Sequence, residues 1–104
     1  MNLPPLFDSK QKLIAILRET RNFLARPEND FAWSSWKDAQ AALREIDGLI
    51  SRIESGNLPN RSEITFLFLP TSDIQEVSVS SGWGQEFLEL ANRLDVAVKK
   101  VYGI

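Results

Sequence analysis

The alternation of apolar and polar positions divides the chain into five predicted elements. From Asp8 onward, Leu13, Ile16, Leu17, Thr20, Phe23 and Leu24 recur at helical spacing, and Pro27 closes the run. Asp8 is a good N-cap with Gln11 three residues on, in capping-box spacing, so a first helix is predicted over about Ser9 to Ala25. After the polar connection "RPEND", Trp36, Ala39, Leu43, Ile46, Ile50 and Ile53 fall three, four, three, four and three residues apart. That is an a/d seam. Ser35 with Asp38 offers a capping box at its start, and "SGN" at Ser55 to Asn57 puts glycine where a helix stops. Gly48 lies inside this second helix, at a cost of about 1 kcal/mol relative to Ala. The seam is shorter than the roughly three or four heptads of a coiled coil, so it predicts a helix packed on its own domain's core.

Beyond Pro59 the period changes. "ITFLFL", Ile64 to Leu69, is β-branched and aromatic with almost no polar interruption and reads as a strand covered on both faces. "PTSD", Pro70 to Asp73, is turn chemistry. Gln75, Val77 and Val79 then alternate with Glu76, Ser78 and Ser80, as in a half-buried strand. Two strands joined by so short a turn predict an antiparallel hairpin. Phe87, Ala91, Leu94, Val98 and Val101 form a last amphipathic helix, with Glu86 and Glu89 near its positive end, Lys99 and Lys100 near its negative end and Gly103 just past it. The expectation is an α+β fold, a single compact domain over residues 1–104, with three helices and one antiparallel β-hairpin in the order α-α-β-β-α and the second helix central. The predicted core is Leu13, Leu17, Leu24, Trp36, Leu43, Ile46, Ile50, Phe66, Phe68, Val77, Val79, Phe87, Leu94 and Val98.

Composition narrows the chemistry more than it narrows the fold. The 104 residues include no Cys and no His. Disulfides, thiolate sites and the commonest general base and transition-metal ligand are thereby closed. No catalytic, cofactor or metal site is expected, and the protein reads as non-enzymatic. Twelve basic against fourteen acidic residues give a formal net charge of -2, with no dominant basic face for nucleic acid. The start "MNLPPLF" has neither a basic n-region nor a long apolar run, and no stretch reaches the length of a membrane span, so a soluble cytoplasmic protein is expected. The sequon-like "NRS" at Asn60 to Ser62 would matter only in a secreted protein.

Three constellations are candidates for function. "SVSSGWGQEF", Ser78 to Phe87, runs from a predicted strand through a Gly-rich bend into a helix, an order that can aim N–H groups at an anion. Ser81, Gly82, Trp83 and Gly84 are the candidate anion site. The motif lacks the Lys and Ser or Thr of a Walker loop and the third Gly of a dinucleotide fingerprint, and the charge of Glu86 would compete with a phosphate. A tight turn that tucks Trp83 under the hairpin explains the same residues. "FAWSSW", Phe31 to Trp36, is dense in aromatics, as binding hot spots are, although Phe31 and Trp33 would also serve to staple the start of the second helix. Trp33 lies off the seam and should be partly exposed. The carboxylate pairs Glu45 with Asp47 and Glu86 with Glu89 read as solvated helix faces.

The segments "FAWSSWKDAQAALREID" and "FLFLPTSDIQEVSVSSGWGQEFLELANRLD" resemble those of small uncharacterised bacterial proteins of about this length. The resemblance implies no activity. The function expected is a non-enzymatic protein-protein interaction module, of regulatory, adaptor or immunity type, with a small-ligand or anion binder at the Gly82 to Gly84 turn as the alternative. A homodimer is expected as well, because a lone hairpin is marginal and the strand Ile64 to Leu69 would leave an apolar face and an unguarded edge. Phe31, Trp33, Leu67 and Leu69 are the candidate interaction surface.

Overall fold

The computed structural model describes residues 5–103; the opening residues 1–4, which carry part of the leader argument, lie outside the described residues. Among them every regular element is helical: α1 (Pro5–Leu24), α2 (Ala39–Glu54), α3 (Arg61–Thr65), a 3₁₀ turn (Phe66–Phe68), α4 (Asp73–Ser81) and α5 (Gly84–Tyr102). The α+β expectation is overturned, and the hairpin with it. Both predicted strands, Ile64 to Leu69 and Gln75 to Ser80, fall in helical segments.

The physical reason lies at the starts of these segments. Asn60 and Glu63 close the start of α3, the Asn60 N–H donating to the Glu63 carboxylate at 2.7 Å and the Glu63 N–H to the Asn60 carbonyl at 3.0 Å. Ser72 caps α4, its Oγ accepting from the Gln75 N–H at 3.2 Å. Helical periodicity then decides burial: Ile64 and Phe68 point inward while Phe66 between them is 64% exposed, and Ile74, Val77 and Ser78 are buried while Val79 is 61% exposed. Phe66 and Val79 therefore leave the predicted core, and Leu43 is only partly buried. The remaining predicted core residues are buried, joined by Ile14, Ile16, Leu49, Ile53, Ile64, Ile74, Trp83 and Leu90 among others.

α1, not α2, is the central helix, packing on both α2 and α5. Arg18 meets Glu54 at 2.5 Å and Arg21 meets Asp47 at 2.6 Å, pairings that run α2 antiparallel to α1. Arg93 reaches Glu19 at 2.5 Å across the α1–α5 seam. The α3 to α4 stretch closes one side, with α4 and α3 on α5 and the 3₁₀ turn against α3 and α4. Phe68 lies nearly parallel to Phe87 at 6.2 Å between ring centroids. The Tyr102 hydroxyl donates to the Pro59 carbonyl at 2.7 Å, tying the end of α5 to the start of α3.

α2 begins one turn later than its seam predicts. Asp38, expected at the third helical position, is itself the N-cap and accepts from the Ala41 N–H at 2.9 Å. Trp36 is buried just ahead of the helix. The stop at Ser55 to Asn57 is as predicted: Gly56 has φ 84°, its N–H reaches the Ile53 carbonyl and the Asn57 N–H the Arg52 carbonyl, which is a Schellman closure. No helix among the described residues is long and apolar enough to cross a membrane.

Candidate functional site

The Ser81 to Gly84 bend joins two helices instead of a strand to a helix. Gly82 ends α4 in the left-handed region, with φ 86°, and the Trp83 N–H turns back to the Ser78 carbonyl at 2.8 Å. The Ser81 hydroxyl accepts from the Asp30 N–H at 2.9 Å. The Trp83 N–H, one of the groups that would have faced an anion, is thus engaged within the chain, and Glu86 lies in the first turn of α5. Trp83 does not tuck under a hairpin. It is wholly buried, stacked on Phe23 at 4.9 Å with its indole N–H on the Asn29 side-chain oxygen at 3.0 Å. Arg26 lies over the Phe23 ring at 4.2 Å, and the Asn29 amide returns to the Phe23 carbonyl at 2.7 Å, so the bend serves as the dock for the end of α1 and the connection after it.

The aromatic cluster divides by residue. Trp36 is buried, Phe31 is half-buried and Trp33 is 73% exposed, consistent with its place off the seam. The Asp73 carboxylate accepts from the Ser35 N–H at 2.8 Å and from the Ser35 hydroxyl, which fastens the cluster to the start of α4. On the segment leading into that contact, Leu69 is 44% exposed and Leu67 half-buried. The candidate surface residues therefore lie on two connections held together by one carboxylate.

Beside this clamp, a depression of about 660 Å³ opens between α2 and the α3 to α4 stretch. Its α2 wall carries Arg44, Glu45, Gly48 and Leu49, and the facing wall carries Phe66, Leu67, Thr71 and Asp73. Arg52 and Glu63 bridge the walls at 3.0 Å. That pairing, together with the Asn60 N–H, holds the Glu63 carboxyl below its ordinary range. Sequence reasoning missed this depression because it depends on Phe66 facing outward. The signal was Asn60 with Glu63 three residues later, a capping box hidden just ahead of the apolar run.

A second groove, of about 510 Å³, follows the α1–α5 seam over Ala15, Ile16, Val96 and Ala97, with Lys12, Arg93 and Lys100 along it. Arg93 holds Glu19 below the ordinary carboxylate range. The carboxylates first noted as pairs are dispersed: Asp47 is taken up by Arg21, and Glu45 lines the α2 wall. No group of three or more acidic residues that could hold a metal occurs among the described residues. Comparison with protein-family models, with curated proteins and with solved structures finds no match.

Proposed function

We propose that the protein is a non-enzymatic protein-protein interaction module of the cytoplasm, regulatory, adaptor-like or immunity-type in kind. The observation that carries this reading is the exposed indole of Trp33, 73% accessible on a connection that Asp73 pins to the rest of the fold. A rigid aromatic held out on an anchored segment costs little further ordering when a partner covers it, which is how aromatic hot spots gain affinity. Leu69, 44% exposed on the tied segment, adds apolar surface of the same kind. The anion-binder alternative loses ground because the Trp83 N–H already has a partner and the charge of Glu86 lies in the first turn of α5.

The test compares capture of proteins from an extract of the native host by the wild-type chain and by a Trp33→Ala, Leu69→Ser variant with the same thermal midpoint. The reading expects a stoichiometric partner that the wild type retains and the variant loses. Identical capture by both proteins would overturn this surface. A rise in thermal midpoint with inorganic phosphate, abolished by Gly84→Asp, would instead favour the anion reading.

A further inference from the structure

Residues 60–82 run between two fixed points. Ahead of them Pro59 is buried and its carbonyl accepts from the Tyr102 hydroxyl at 2.7 Å, and beyond them Trp83 has no solvent exposure. What lies between is made of short pieces. α3 has 5 residues, the 3₁₀ turn 3 and α4 9, each below the roughly 12–15 residues at which a helix begins to hold by itself. The backbone becomes extended at Leu69, with ψ 156°, ahead of Pro70, and left-handed at Gly82, with φ 86°, so the helical ladder is broken on either side of α4.

The segment is also held unevenly. α3 and α4 rest on α5, and its buried apolar side chains are Ile64, Phe68, Ile74 and Val77, whereas Phe66, Leu69 and Val79 face solvent. Toward α2 stands the depression of about 660 Å³, bridged by the half-exposed Arg52–Glu63 pair. Toward the connection after α1, Asp73 accepts from Ser35 and the Ser81 hydroxyl accepts from the Asp30 N–H, both at exposed positions. The other three helices have links of their own: α1 packs on both α2 and α5, with the Arg18–Glu54, Arg21–Asp47 and Arg93–Glu19 pairs across those seams. Release of the segment would expose four buried apolar side chains and break a few surface contacts, against the conformational entropy regained by roughly 20 residues. We infer that 60–82 is a strap that opens as one unit while α1, α2 and α5 stay folded, uncovering the α5 face on which Phe68 lies against Phe87. The Ser35 clasp also anchors the connection that carries Trp33, so an open strap lets that connection go; this consequence rests on the reading of Trp33, and the opening itself does not.

Native-state hydrogen exchange of the full chain, read amide by amide in rising urea below the unfolding transition, measures this opening. The amides of α3 and α4 should share one opening, at least about tenfold easier than that of α1 and α5, with a shallower dependence on urea because less surface is exposed. Two variants tell the strap from the frame. Asp73→Ala removes a clasp that both openings break, so it should speed exchange in the strap and in the frame alike. Ile16→Val weakens the α1–α5 seam alone, so it should speed exchange in α1 and α5 and leave the strap at its wild-type rate. Equal protection and equal urea dependence across all the helices overturns the inference, as does a strap that Ile16→Val speeds as much as it speeds α1. Strap amides that exchange one by one with no urea dependence would be fraying instead of a common opening, and overturn it equally.

Discussion

Trp83 joins three parts of the chain through one side chain. Its ring stacks on Phe23 of α1, its indole N–H binds Asn29 in the following connection, and its backbone N–H closes α4. Removing the ring would empty a site with no solvent exposure and leave the Asn29 oxygen without its donor. Trp83→Ala should therefore cost about 3–5 kcal/mol, a large part of the roughly 5–15 kcal/mol that holds a domain folded. Trp83→Phe keeps most of the stacking and should cost distinctly less. Urea denaturation followed by far-UV circular dichroism measures both, and a Trp83→Ala protein within about 1 kcal/mol of wild type would refute this role. The sequence marked Trp83 as special but for the wrong neighbour. Its partners, Phe23 and Asn29, lie 60 and 54 positions away, and spacing along the chain carries no information at that range.

At the level of elements, long amphipathic runs were legible and short apolar ones were not. The first, second and last helices repeat their apolar positions over several turns, so the helical period stands out from chance. In "ITFLFL" nearly every position is apolar, and such a run has no period to read. Across Ile74 to Ser80 the buried set is Ile74, Val77 and Ser78, a helical spacing disguised because one member is a serine that meets its need by donating to the Gln75 carbonyl at 2.8 Å. Val79, apolar but exposed, completed the false alternation. The caps at Asn60 and Ser72 outweigh that alternation. Ser72→Ala should accordingly cost about 1 kcal/mol, and Ser72→Gly only a few tenths, because without a side chain water can reach the free N–H groups of the first turn. A Ser72→Ala protein with the wild-type denaturation midpoint would mean that the Ser72 hydroxyl does not govern the start of α4. The depression beside α4 could be read no earlier than these elements, since it exists only where Phe66 turns outward from a helical segment.

At the scale of the whole molecule, the ion pairs that join helices give stability a defined pH dependence. Hydrogen bonding to Arg93 holds Glu19 below the ordinary carboxylate value of 4.5, and hydrogen bonding to Arg52, with the Asn60 N–H, does the same for Glu63. Between their folded values and 4.5 the unfolded chain binds more protons than the native one, so stability rises with pH there. The contribution is fully present above that window and is lost as pH falls through it. Tyr102 works in the opposite direction at the alkaline end. Burial first, and the charge of Glu63 second, raise its phenol above the ordinary 10.0, so stability falls as pH climbs from 10.0 through the folded value. Glu19→Gln with Glu63→Gln should flatten the acid arm of the thermal midpoint against pH and weaken the alkaline arm only by the part that the Glu63 charge supplies, while Tyr102→Phe should flatten only the alkaline arm. Both carboxylates are close to half-exposed, so salt near 1 M, where the screening length is about 3 Å, should shrink the acid arm of the wild type toward that of the double variant. An acid arm unchanged in the double variant at low salt would show that other carboxylates carry it, and that the α1–α5 and α2–α3 pairings add nothing to the fold.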